Sequence, residues 1–218
     1  PSIFSDADFS ITNAFFDSQP FSVELSLIEQ YALARNMIMK TVDNFLPYAD
    51  KIILAGIPGN HGEMSRSSKG QVFTNRLDNS DTMHLEICNE IMKANPERYK
   101  KVKVEIPEGF HQVLEIKGKK VAWTHGHMTG NSGSNPEVKI ENWWKGQMYG
   151  FLPSGSAEIL ITGHYHHFRA KYQGDRAWFQ APSLDRSIDF TERTGLWSHP
   201  AVLSFTINEK GWDNLKLL

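Results

Sequence analysis

Six of the nine histidines lie in three short segments that also contain glycine: residues 59–63, 125–127 and 163–167. Each segment follows an apolar run that has the length of a buried strand. In open α/β sheets, ligands bind where loops leave the carboxyl ends of the strands. Imidazole nitrogens suit transition metals. The spacing therefore predicts an α/β protein in which three strand ends contribute to one metal site.

The three segments resemble the last three motifs of the calcineurin-like metallophosphoesterases, and they occur in the same order. The matching residues are Gly59-Asn60-His61, His125-Gly126-His127 and Gly163-His164-Tyr165-His166. The resemblance extends from Ser22 to Asp185 and is to members of the family from bacteriophages and bacteria. It implies a four-layer α/β/β/α sandwich that lacks its first strands, and a hydrolase that acts on phosphoester bonds.

Two motifs of that family, Asp-x-His and Gly-Asp-x-x-Asp, are missing from the sequence. The segment Asp6-Ala7-Asp8 is the nearest match to the first of them, with aspartate in place of histidine. Because the chain begins with Pro1 and its first matching motif lies near residue 60, we expect an N-terminal truncation. The missing segment would carry the carboxylates that bridge two metals. Asp78 and Asp81 would replace them only through an unusual rearrangement.

The resemblance implies two divalent metal ions, with Asn60, His125, His164 and His166 as ligands. Imidazole, amide and carboxylate donors suit Mn²⁺, Fe²⁺, Zn²⁺ or Ni²⁺, whereas an all-oxygen set would favour Mg²⁺ or Ca²⁺. Manganese is the expected ion. His164 and His166 are expected to alternate on an extended loop and so to face one cavity. Asn60 follows a glycine, which is also typical of a simple left-handed turn.

His61 is the expected catalytic residue, because it follows the asparagine ligand and is free to turn towards a substrate. There it would stabilise the transition state or protonate the leaving oxygen, which contributes about 10²–10⁴-fold to a rate. Glu63 is expected to hold His61 in the useful tautomer. In the family the acidic residue more often follows the histidine directly, whereas here Gly62 intervenes.

Several residues near the motifs have supporting roles. His127 is expected to support a metal ligand or to face the substrate, and His167 is expected to be structural. Arg66 and Lys69 could reach a phosphate from the long loop that follows the first motif, or they could be solvated loop charges. The sequence leaves both alternatives open for these two cations.

Other polar and aromatic residues are expected to be structural. Cys88 is predicted to face the core from a helix, and Trp143 and Trp144 to pack in the core rather than stack on a base. The histidines outside the three segments are expected to be surface or half-buried residues: His84, His111 and His199.

The apolar periodicity predicts a helix that begins at the capping box Ser26–Glu29 and a strand at residues 51–57. Further helices are predicted at residues 82–95 and around residues 142–148. Further strands are predicted at 101–106, 111–117, 120–124, 158–162, 168–173, 176–180, 201–207 and 212–217. Hairpin turns are expected at Gly118-Lys119 and at residues 173–175.

The composition suits one globular domain over residues 1–218, with 40% hydrophobic and 22% charged residues. The net charge of −2 gives no overall basic field, although a local patch could still bind nucleic acid. A single cysteine excludes an intrachain disulfide and suits the cytoplasm of a bacterial or phage-infected cell. No apolar run approaches the ~18 residues of a membrane span, and no membrane partner is expected.

Two functional hypotheses follow. The first is a metallophosphoesterase that cleaves phosphomonoesters or phosphodiesters, and a phage origin would favour a nuclease or a nucleotide phosphodiesterase. The second is a binding or scaffold module with the same fold, catalytically impaired because the bridging carboxylates are missing. A different zinc hydrolase is less favoured, since the sequence has neither His-Glu-x-x-His nor His-x-His-x-Asp-His.

Overall fold

A computed structural model describes residues 2–4, 25–63, 78–129, 135–184, 192, 195 and 197–218. The chain divides into two compact units. One comprises residues 1–9 and 111–218, and is called the sheet unit below; the other comprises residues 10–110, and is called the helical unit. Two compact units can belong to one domain, so the single domain over residues 1–218 stays a prediction.

The helical unit contains three helices and two strands among its described residues. In chain order they are α1 (Leu27–Phe45), β2 (Ile52–Ala55), α2 (Ser80–Ala94), α3 (Pro96–Tyr99) and β3 (Val102–Glu105). The predicted capping box at the start of α1 is confirmed: Ser26 Oγ accepts a hydrogen bond from the Glu29 amide, and the Glu29 carboxylate accepts one from the Ser26 amide.

Strands β2 and β3 pair in parallel, and α1 and α2 supply apolar side chains that pack with theirs. Cys88 is completely buried in this cluster with Val42 and Met92, which confirms its predicted place in the core. His84 on α2 is only 3% exposed, so its expected surface or half-buried position is wrong. Its imidazole meets the ring of Tyr31 of α1 edge to face, and this contact between the two helices contributes to its burial.

The sheet unit contains strand β1 (Ser2–Phe4) and all described elements after residue 110. They are β4 (His111–Ile116), β5 (Lys119–Thr124), α4 (Pro136–Tyr149), a 3₁₀ helix (Pro153–Ser156), β6 (Ile159–Thr162), β7 (Arg169–Gln173), β8 (Arg176–Gln180), β9 (Leu203–Asn208) and β10 (Gly211–Leu217). Helix α4 is longer than the predicted helix around 142–148, because Asn135 caps it and Pro136 begins it.

Five strands form a mixed sheet in the order β4-β5-β6-β8-β7, in which β5, β6 and β8 run parallel. The hairpin between β4 and β5 turns at Lys117-Gly118, one residue before the predicted position, because Ile116 pairs with Lys119. Both turn residues have positive φ, 52° and 75°. The predicted hairpin of β7 and β8 is confirmed.

The two faces of this sheet pack against different partners. One face contributes Val121, Ile161 and Phe179 to a core shared with Leu203 and Phe205 of β9, which belongs to the three-stranded sheet β1-β9-β10. The other face packs against α4 through a cluster of buried and half-buried residues: Ala122, Leu160, Trp178, Ile140, Trp143 and Trp144. The sheet unit is therefore layered as helix, mixed sheet and second sheet, and the predicted α/β class is confirmed. Nothing in it tests the predicted truncation.

In the described part of the chain, no helix combines the length and the apolar character needed to cross a membrane.

Candidate functional site

The first motif forms a tight loop that the start of α2 holds by its backbone. After β2, the amide of Gly59 donates a hydrogen bond to Oδ2 of Asp81 at 2.7 Å, and Nδ2 of Asn79 donates to the Gly59 carbonyl at 2.7 Å. The Ser80 amide donates to the carbonyl of Gly62 at 2.7 Å. These bonds hold the backbone on both sides of Asn60 and His61, the two residues between the glycines.

Gly62 is required by the closeness of this contact. A Cβ atom at Gly62 would stand 2.2 Å from Oδ1 of Asn79 and 2.7 Å from Oδ2 of Asp81. Neither oxygen can move away freely, because Oδ1 of Asn79 accepts the N-cap hydrogen bond from the Asp81 amide and Oδ2 of Asp81 accepts from Gly59. The glycine between His61 and Glu63, which departs from the family pattern, therefore has a steric cause.

Two acidic residues beside this loop, Glu63 and Asp81, each take part in a contact that involves the backbone. Glu63 is 8% exposed and forms an isolated antiparallel bridge with Asn79. Its expected role, holding the tautomer of His61, stays a prediction. Asp81 caps the loop through Gly59, which gives this carboxylate a structural function that the sequence reasoning had not assigned.

The second and third motifs bring three imidazoles together in the sheet unit. Strands β5 and β6 are parallel neighbours whose last residues, Thr124 and Thr162, pair. The Gly163 amide donates to the His125 carbonyl at 3.1 Å, so the two loops leave the sheet side by side. The ring centres of His125 and His164 are 5.1 Å apart. His127 lies 5.2 Å from His125 and 6.1 Å from His164 by the same measure.

These separations suit imidazoles that share an ion. With a Zn–N bond of about 2 Å, a ring centre lies about 3 Å from the metal, and two rings on a tetrahedral ion have centres about 5 Å apart. Within the described ranges, however, no group of three or more His, Cys, Asp or Glu side chains is arranged to hold a metal ion. The ring spacing therefore fits a metal, while a complete ligand set does not occur among those residues.

The loop of the third motif is not extended as expected. His164 and His166 both have left-handed backbone conformations, with φ of 70° and 59°. Side chains alternate between two sides only in an extended chain. Alternation is therefore not the reason why His164 lies beside His125. The backbone turns at His164 itself, where the Tyr165 amide donates to the Gly163 carbonyl at 2.9 Å.

His167 closes this loop and has the structural role expected of it. Its Nδ1 lies 2.5 Å from the Tyr165 carbonyl oxygen. A carbonyl can only accept, so Nδ1 carries the proton. Burial, followed by the charge of Arg169, lowers the pKa of the His167 imidazole, which favours this neutral form. The His167 carbonyl in turn accepts a hydrogen bond from Nε2 of Gln180 at 2.6 Å.

The predicted residues thus fall into two groups, each described by itself. Asn60, His61 and Glu63 belong to the helical unit, whereas the imidazole cluster belongs to the sheet unit. Arg66 and Lys69, and the acidic residues Asp6 and Asp8, lie outside the described residues.

Sequence reasoning missed the residues that hold the loops, chiefly Asn79, Asp81 in that role, and Gln180. The pattern Asn79-x-Asp81 before an apolar period is a recognisable N-cap signal, because the asparagine side chain accepts from the residue two positions later. It could have located the start of α2 at residue 80 rather than 82. No local signal marks Gln180, which looks like any residue near the end of a strand.

Comparisons with known proteins give structural likeness only. No protein-family profile and no curated protein matches the chain. A predicted phosphoesterase from Streptococcus pneumoniae is similar with a TM-score of 0.40 and 12% identity, over 84% of this chain and 80% of that one. A single mutant of Vps29 from Entamoeba histolytica gives 0.40 and 14%, over 82% and 89%. An archaeal phosphodiesterase gives 0.39 and 15%, over 83% and 76%.

Proposed function

We propose that this chain is a metal-dependent hydrolase of phosphoester bonds. The observation that carries the proposal is the cluster of His125, His127 and His164 at the carboxyl ends of two neighbouring parallel strands. Ligand sites in open α/β sheets occupy this position. The order of the three motifs, which resembles that of the metallophosphoesterases, supplies the reaction class.

In this proposal His125, His164, His166 and Asn60 hold two divalent ions, with Mn²⁺ as the expected metal. The ions would supply a bound hydroxide and would polarise the phosphoryl oxygen. His61 stabilises the transition state or gives a proton to the leaving oxygen. His127, next to two of the ligands, orients them or contacts the substrate, a role that Glu63, Arg66 and Lys69 could share.

The proposed substrate is a phosphodiester, as in a nuclease or nucleotide phosphodiesterase, with phosphomonoesters as the alternative. Trp143 and Trp144 do not support base stacking, because they pack against the sheet from α4 and the Nε1 of Trp144 donates to the Ser154 carbonyl. Specificity for nucleic acid would therefore depend on other residues.

A second candidate is a catalytically impaired module that binds a partner through the same fold. It is favoured by the sequence, which has no Asp-x-His or Gly-Asp-x-x-Asp motif, and by the incomplete ligand set among the described residues. Without bridging carboxylates, the repulsion between two close divalent ions is poorly offset. The chain as it stands is then expected to bind metal weakly and to turn over slowly.

Calorimetric titration with MnCl₂ and ZnCl₂, alongside hydrolysis of bis-p-nitrophenyl phosphate and p-nitrophenyl phosphate, tests both candidates. The enzyme proposal expects hydrolysis that requires added metal and disappears in His125→Ala. The module proposal expects weak binding and no metal-dependent hydrolysis. Metal binding that is unchanged in both His125→Ala and His164→Ala would contradict the assigned site.

A further inference from the structure

The loop that contains His164 and His166 has an uncommon backbone conformation, which contacts with neighbouring segments can stabilise. Two residues with a Cβ atom adopt left-handed conformations within three positions. Such conformations are uncommon for residues other than glycine, although histidine adopts them more often than most, and they persist where the surrounding structure supports them. Contacts with other segments therefore help to keep the loop in this conformation.

Hydrogen bonds from other segments reach this loop on both sides of the left-handed residues. The Gly163 amide donates to the His125 carbonyl at 3.1 Å before the strained region, and the Ser183 amide donates to the His166 carbonyl at a long 3.3 Å. A short one comes from a side chain: Nε2 of Gln180 donates to the His167 carbonyl at 2.6 Å. Gln180 therefore fixes the peptide at the exit of the strained turn.

A glutamine is unfavourable at a completely buried position if its only role is to pack against its neighbours. Gln180 is completely buried at the end of β8, and its Oε1 has no hydrogen-bond partner among the described residues. Its amide cannot be reversed without placing an oxygen against the carbonyl of His167, because a carbonyl only accepts. A buried acceptor without a partner is costly, so an apolar side chain would suit this position better if packing were its only role.

We propose that Gln180 is a positioning residue: by binding the His167 carbonyl, it keeps His164 and His166 in the left-handed conformations that present their imidazoles. The restraint acts on the backbone and does not need a ligand to be present. Its consequence for metal binding rests on the function proposed above, in which these two histidines are ligands.

Gln180→Met removes the donor while keeping a side chain of similar length. We expect amide hydrogen exchange at Gly163 and Tyr165 to accelerate by about tenfold or more in the metal-free protein, since loss of a restraint favours local opening. Gln180→Asn, which keeps an amide but is too short to reach the carbonyl, is the second variant if the first does not fold. Affinity for MnCl₂ and ZnCl₂ should fall about 10- to 100-fold in either variant, as when support for a ligand is lost.

Ser154→Ala is the matched control. Ser154, in the 3₁₀ helix, is also completely buried in the sheet unit, and its Oγ is 2.8 Å from Nδ1 of His111 at the start of β4. This variant should lose stability without changing the exchange of Gly163 and Tyr165 or the metal affinity. Exchange in the Gln180 variants no faster than in the control would overturn the positioning role. If the wild type binds neither metal, the proposed function fails, while the exchange measurement still decides the role of Gln180.

Discussion

The two loops that contain candidate ligands are held in different ways. The loop of Asn60 and His61 needs no left-handed residue; its backbone is bound by Asn79 and Asp81 at the start of a helix, and Gly62 permits the close approach. The loop of His164 and His166 has two left-handed residues, and the side chain of Gln180 donates a short hydrogen bond to its end. The first loop is therefore bound by side chains at the start of a helix, whereas the second combines an uncommon backbone conformation with a side-chain bond from the end of a strand.

The largest expected effects separate a metal ligand from a proton donor in these two loops. His164→Ala should lose metal and activity together, because a ligand disappears. His61→Ala should keep its metal and lose about 10²–10⁴-fold in kcat on substrates with alkoxide leaving groups, because an acid that acts in the transition state contributes to rate. If the proposed function holds, metal analysis of both purified variants, with kcat on a nitrophenyl ester and on a nucleic-acid phosphodiester, checks this prediction.

The leaving group sharpens the assignment of His61. Nitrophenolate leaves with little protonation, so the loss in His61→Ala should be small with nitrophenyl esters. It should be largest for alkoxide leaving groups such as the sugar oxygens of nucleic acid. Equal metal loss in both variants would instead make His61 a ligand, and an unchanged rate would make it a structural turn residue.

The next effect concerns the close contact that is special to the first loop. Gly62→Ala should reduce the free energy of unfolding by about 1–3 kcal/mol, because the added Cβ collides with two oxygens that hydrogen bonds hold in place. Gly109→Ala is the control in the same unit, since a Cβ there meets nothing within 4 Å. Urea denaturation of both variants checks the difference, and equal stabilities would show that the loop moves aside easily.

A loss of similar size is expected when the carboxylate of the first loop is removed. Asp81→Ala deletes the acceptor of the Gly59 amide, a bond to a charged group that contributes about 1.5–3 kcal/mol at most. Asp43→Ala removes a carboxylate from the same unit, but one that pairs with the exposed Arg98 on the surface. The control should therefore be the more stable variant in urea denaturation. A reversed order would mean that Asp81 does not hold the loop.

The sequence predicted the parts of this molecule that depend on local pattern. Ser26 and Glu29 cap a helix, and the histidine motifs follow strands, because periodicity and capping act within a few residues of the chain. The restraints on the two loops are different in kind. Asp81 lies 22 residues from Gly59, and Gln180 lies 13 residues from His167, so each contact exists only once the fold is formed.

The same limit explains two wrong predictions that concern histidines. The expectation that His164 and His166 alternate was wrong because backbone conformation in a loop depends on tertiary bonds, which spacing does not contain. His84 was expected near the surface because it is isolated in the sequence. Its burial follows from the packing of α2 against Tyr31, which no local pattern shows.

The smallest expected effect is a pH dependence of the helix that supports the first loop. His84 is buried on α2, and desolvation, followed by the charge of Arg35, lowers the pKa of its imidazole. The unfolded chain has an ordinary pKa of about 6.5, so below that pH it binds more protons than the folded protein does. The contribution of the neutral His84 imidazole to the free energy of unfolding is therefore complete above about pH 6.5. It is lost as the pH falls towards the lowered pKa of the folded state, by up to about 1.4 kcal/mol per pH unit. His84→Leu should reduce the difference in free energy of unfolding between pH 7.5 and pH 5.5, measured by urea denaturation. If the variant retains the full pH dependence of the wild type, the acid sensitivity originates elsewhere, and α2 holds the first loop independently of His84.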